Sequence, residues 1–188
     1  MISPADETQE IIDAAIQENR VQFTLGLVKA LAIASFSTAL LFFVGWILLA
    51  DYSQLLVLAI ALLPMGMGSG AFPYFNRWDK TVLGIYIFLM SAIFSISILP
   101  FVLPQTIVIV GLGFVTCSAI SHKLLGDKDA RVLIVFMILL LGVIIVVTSL
   151  WSPEWPTPLN ETIEITASTV ISSIGLITAI VMMRVIVL

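Results

Sequence analysis

The residues best placed to do chemistry lie inside an apolar segment. Pro64-Met65-Gly66-Met67-Gly68-Ser69-Gly70 falls within the charge-free run from Tyr52 to Asn76. A proline inside a helix removes one backbone hydrogen bond, here the one to the carbonyl of Ile60, and glycines loosen the turn that follows. A kink that turns a free carbonyl toward a cavity is one consequence. Close packing is the competing and favoured reading, because Gly66 and Gly70 have the spacing that lets two membrane helices approach. The stretch is no phosphate loop, since no Lys-Ser/Thr pair follows it. Ser69, Ser91 and Ser95 are the candidate lining of a pocket within the bundle, able to take a small lipid-like signal or quinone. The plainer reading of Ser91, Ser95, Ser35, Thr38, Thr116 and Ser118 is a hydroxyl bonded back to its own helix.

Titratable groups are few. Lys29 stands at the start of an apolar run, where it can snorkel its ammonium into water. Asp51, Glu161 and Glu164 mark segment boundaries, and His122 stands alone beside Lys123. A single histidine excludes a bis-histidine haem within the chain, no carboxylate pair or nucleophile with its base occurs, and the one cysteine, Cys117, excludes an internal disulfide framework. Neither enzymatic activity nor a bound cofactor or metal is expected.

These residues must be held by elements that live in lipid. The 188 residues are 60% hydrophobic and 11% charged, against about 45–50% and 25% in soluble domains, and the mean hydropathy is +1.16. A net charge of −4 excludes a broad basic surface, and with it nucleic-acid binding. Charge-free runs occupy Ala30 to Ala50, Tyr52 to Asn76, Thr81 to Ser121, Val132 to Pro153 and Ile165 to Met183. The third run has twice the length of one span and is divided by Pro100 and Pro104. The expected fold is all-α, with six transmembrane helices as three antiparallel hairpins. The expected spans are about 29–50, 53–75, 81–100, 104–121, 132–151 and 163–184, within a membrane domain over 21–188.

Residues 1–20 read as a cytoplasmic amphipathic helix, with Ser3 as its cap, Pro4 at its first position and five of the chain's twelve acids: Asp6, Glu7, Glu10, Asp13 and Glu18. Ile12, Ala15, Ile16 and Phe23 make its apolar stripe, suited to a protein partner or to self-packing. The acidic start differs from the basic region that opens a signal peptide, so the first apolar segment is expected to be retained. Arg20, Lys29, Arg77, Lys80, Lys123, Lys128, Arg131 and Arg184 alternate with loops that hold no base, which places both termini in the cytoplasm. Trp46, Tyr52, Trp151 and Trp155 anchor the outer boundary, and Tyr74 and Trp78 the inner one. A faint repeat, Glu18-Asn19-Arg20-Val21, Asp79-Lys80-Thr81-Val82 and Asp129-Ala130-Arg131-Val132, opens each hairpin. The positive-inside rule is the favoured explanation, ahead of descent from a common unit.

The layout from Val21 to Leu188, with its Met183-Arg184-Val185 exit, resembles the six-helix membrane domains that precede cytoplasmic kinase, cyclase or GAF-type domains in bacterial signalling proteins. Topology carries this resemblance, not a motif, so no functional residue is transferred. It implies a multi-pass module of a bacterial plasma membrane, a homodimer, and a sensor or anchor that passes a signal through its last helix, with Arg184 at the exit. The aliphatic run after Arg184 reads as the start of a linker. Because the outer loops are short, its ligand would be an apolar or amphipathic small molecule held inside the bundle or at its outer mouth. The alternatives are a small-solute transporter or channel, and a non-catalytic subunit of a larger membrane complex; in every case the lipid bilayer is a partner.

Overall fold

The computed structural model describes residues 4–49, 51–78, 80–125, 127–150, 155 and 157–187, with side chains described within 25–180 except at 27, 123 and 178. Six α-helices follow one another: α1 (Pro4–Leu48), α2 (Ser53–Arg77), α3 (Thr81–Val102), α4 (Ile107–Leu124), α5 (Asp127–Leu150) and α6 (Glu161–Val187). A single 3-10 turn, Pro104–Thr106, leads into α4. Five segments are long and apolar enough to cross a membrane: Val28–Leu48, Ser53–Arg77, Thr81–Val102, Pro104–His122 and Asp127–Leu150. Such helices satisfy every backbone group internally, as a lipid environment demands.

Their outer faces agree with that solvent. Ile33, Leu40, Ile60, Met67, Phe94, Val115 and Leu139 are among many large apolar side chains left exposed. In water this would be one continuous sticky surface; in a bilayer it is the matched exterior. The chain is thus a multi-pass helical membrane protein.

α1 is one unbroken helix of 45 residues, so the amphipathic segment expected over residues 1–20 and the first apolar run share one rod. Ser3, Asp79 and Trp151 lie outside the described residues, as do the side chains of Lys123 and of the Ile12 to Phe23 stripe. The connections from α1 through α5 are short, which makes those neighbours antiparallel, and the Gln54–Thr157 contact sets the start of α6 beside that of α2. The bases Lys29, Arg77, Lys80, Lys128 and Arg131 therefore gather at one end of the bundle, and Asp51, Glu161 and Glu164 at the other.

α1 packs along α2, and α2 along α3; α4 lies against α3, α5 and α6, and α6 returns to α1. The expected third hairpin is therefore not a packed pair among the described residues: α6 sits on α4 and α1, and α5 lies outside against α4 and α3. Five helices close a ring, α1-α2-α3-α4-α6, and α5 buttresses it.

Two apolar clusters fill the bundle. One joins Val28, Leu31, Phe88, Leu89, Phe114, Leu133 and Met137 toward the basic end. The other joins Phe42, Leu58, Leu99, Leu103, Ala167 and Ile171 toward the acidic end, where Trp155, Leu159 and Ile163 close over it. Gln54, 2% exposed, donates from Nε2 to the Thr157 carbonyl at 3.0 Å and ties the segment before α6 to the start of α2.

Candidate functional site: an apolar chamber inside the helix ring

α2 runs through Pro64 and Pro73 without ending. Pro64 has no N–H to offer, and its ring disturbs the turn before it. The next amide, Met65 N–H, donates instead to Ser95 Oγ on α3 at 3.0 Å. Ser95 is 1% exposed, so this bond satisfies a backbone group where no water can reach. The other hydroxyls behave more simply. Thr38 donates to the Ala34 carbonyl, Thr116 to Leu112, Ser118 to Phe114 and Ser91 to Phe88, at 2.7 to 2.9 Å.

The glycines of the stretch point three ways. A Cβ on Gly66 would sit 3.2 Å from the Phe36 ring of α1. One on Gly68 would overlap the Ser91 hydroxyl and lie 3.2 Å from the Ile87 carbonyl of α3, so α2 and α3 approach closely here. At Gly70 the space is open. Close packing thus uses Gly66 and Gly68 against two different helices, and the Gly66-x-x-x-Gly70 spacing marks no single interface. Ser69 is fully buried, and its hydroxyl has no hydrogen-bond partner among the described residues.

The ring surrounds a partly open cavity of about 90 Å³. Its walls come from all five ring helices: Leu31, Ser35 and Thr38 of α1; Leu62 and Met65 of α2; Phe88, Ala92, Ile96 and Leu99 of α3; Leu112, Gly113, Thr116 and Cys117 of α4; Ile171, Ile174, Gly175 and Ala179 of α6. Small residues make the room and draw the walls together. Gly113 lets Ile96 come within 2.9 Å of where its Cβ would be, and Gly175 does the same for Ile109 at 3.2 Å.

The lining is almost wholly hydrocarbon. Two of its hydroxyls, Thr38 and Thr116, are already committed to their own helices, which leaves Ser35 and the buried thiol of Cys117 as the soft polar points. Apolar cavities of about 150 Å³ stay dry and take benzene or xenon; this chamber is of the same order and chemistry. It suits a small hydrocarbon or the tail of an amphiphile, and it offers nothing to hold an ion.

Pro64, Gly66, Gly68, Ser69, Gly70, Ser91 and Ser95 are all absent from the lining. Gly66 against Phe36, Gly68 against Ser91, and Ser95 against Met65 make the α1-α2-α3 contacts behind it, Gly70 stands in open space, and of this stretch only Met65 reaches the chamber. The backbone of Arg184 lies in α6, but its side chain is outside the described residues. Among the described residues no group of three or more His, Cys, Asp or Glu could hold a metal. His122 Nδ1 stands 3.8 Å from Asp127 in an exposed pair at the α4-α5 turn, a contact of little energetic weight. Set against protein-family models, curated proteins and solved structures, the chain matches none.

Proposed function

We propose that this protein is a membrane-embedded receptor module for a small apolar ligand, with α6 as the helix that reads occupancy. The observation that supports this is the chamber itself, in which Ile171, Ile174, Gly175 and Ala179 of the last helix form one wall. A ligand pressed against that wall favours whichever position of α6 contacts it best, and the size of the shift is set by that difference in affinity. We take α6 as the sixth span, since Ile165 to Met183 carries no formal charge. By the positive-inside rule, the end bearing Lys29, Arg77 and Lys128 faces the cytoplasm. The movement of α6 is then delivered at Arg184 to a cytoplasmic output, in the manner of a bacterial plasma-membrane sensor that works as a homodimer.

The hydrocarbon lining weighs against a carrier of ions or sugars, which requires intramembrane polar groups and interrupted helices that face the path. Hydrogen exchange in lipid nanodiscs, with and without saturating benzene, tests the coupling. Slower exchange along α6 with α5 unchanged is expected, because α5 contributes no wall. An equal response in α5 and α6, or none in either, contradicts it.

A further inference from the structure

A second concavity opens at the basic end, between α1 and α2. It has a volume of about 450 Å³ and is lined by Lys29, Ala32, Ile33, Gly70, Pro73, Tyr74 and Arg77. Lys29 and Arg77 are both exposed, and among the described residues no carboxylate belongs to the lining. Lys29 stands one residue inside the apolar segment Val28–Leu48, and Arg77 closes the apolar segment Ser53–Arg77. Both cations therefore lie at the same depth, at the boundary between hydrocarbon and water. Below them the groove is apolar: Ala32 and Ile33 on one side, Pro73 on the other, and Gly70 as a floor on which a Cβ would meet nothing within 4 Å. Tyr74 stands on the rim with its ring 5.7 Å from that of Trp78, an arrangement suited to the headgroup layer.

We infer that this groove binds one anionic phospholipid, its phosphate between Lys29 and Arg77 and one acyl chain laid over Gly70 along Ile33. Charge and depth together select this occupant. A soluble anion would be served by the two cations but gains nothing from the apolar floor, whereas a zwitterionic lipid fits the floor but carries no net charge. Basic pockets between membrane helices are a recurring place for anionic headgroups, and each cation near the surface is worth about fivefold in affinity.

The test uses the full chain in nanodiscs of equal parts phosphatidylglycerol and phosphatidylcholine, with retained lipid measured by native mass spectrometry. One phosphatidylglycerol is expected to stay bound in preference to phosphatidylcholine. Lys29→Gln/Arg77→Gln should weaken it on the order of 20-fold. Lys80→Gln/Arg131→Gln, which removes the same charge elsewhere at the basic end, should change it by less than about twofold. Gly70→Phe keeps both cations and fills the floor, so it too should expel the lipid, by about tenfold, and it serves if the double variant does not fold. The inference is overturned by equal retention of the two lipids, by equal losses in the two charge variants, or by displacement of phosphatidylglycerol with millimolar inorganic phosphate, which would make the groove a site for soluble anions.

Discussion

The backbone amide of Met65 donates to Ser95 Oγ at 3.0 Å, joining the proline-disturbed turn of α2 to the middle of α3. A membrane helix can carry a proline only if the backbone groups it frees find partners nearby. Pro64 frees the Ile60 carbonyl, and the Ser95 hydroxyl, thirty residues away in sequence, braces the disturbed turn by accepting from the amide that follows the proline. Met65 is also the residue through which this turn touches the central chamber, so the latch holds one chamber wall in place.

Ser95→Ala removes the acceptor of the inter-helix bond from the Met65 N–H. It should cost about 1 kcal/mol, read as a lower thermal midpoint in detergent. Ser97→Ala, whose hydroxyl only bonds back to the Ile93 carbonyl at 2.6 Å, should cost close to nothing. Equal losses in the two variants would show that the inter-helix bond has no special weight.

Gly68 and Gly70 should respond in opposite ways to alanine. A Cβ at Gly68 meets Ser91, so Gly68→Ala should destabilise by about 1–3 kcal/mol, and Ser91→Gly introduced beside it should recover part of that loss. Gly70→Ala meets open space and should be neutral or stabilising by up to about 1 kcal/mol. Thermal unfolding of the three variants decides the matter.

Gln54→Leu cuts the side-chain tie to the Thr157 carbonyl and also removes Oε1, a buried atom with no partner among the described residues. The two effects oppose each other, so global stability should move by less than about 1 kcal/mol. Limited proteolysis is the sensitive readout: the segment from Trp155 to Asn160 should be cut faster than in the parent protein. Unchanged cleavage would mean that Trp155, Leu159 and Ile163 hold it without help.

Part of this was legible in the residues alone. The all-helical fold and five spanning segments follow from charge-free runs punctuated by Pro100, Pro104 and single charges, because the cost of a charge in hydrocarbon dominates every other local preference. Pro64 was legible as a place of strain, but its partner was not, since nothing local singles out Ser95 from Ser91 or Ser97. The neighbours of α6 were equally hidden: chain adjacency suggests α5, while the packing of Gly175 against Ile109 places α6 on α4. The chamber left the weakest trace. A leucine or isoleucine facing an empty space is the same residue as one facing another side chain. The eye goes to glycines and serines, which here build the helix contacts behind the wall.

The most direct test of the chamber as a ligand site is a map of adducts from a short alkyl diazirine, photolysed with the protein in nanodiscs and located by mass spectrometry. Exposed positions of α5 such as Ile138 and Leu139 should label through the lipid in every variant. Adducts on Met65, Thr116 and Cys117 should appear in the parent protein and disappear in Ala179→Leu, which fills the chamber from the α6 wall. Labelling confined to the lipid-exposed positions, or chamber adducts that persist in Ala179→Leu, would contradict the account.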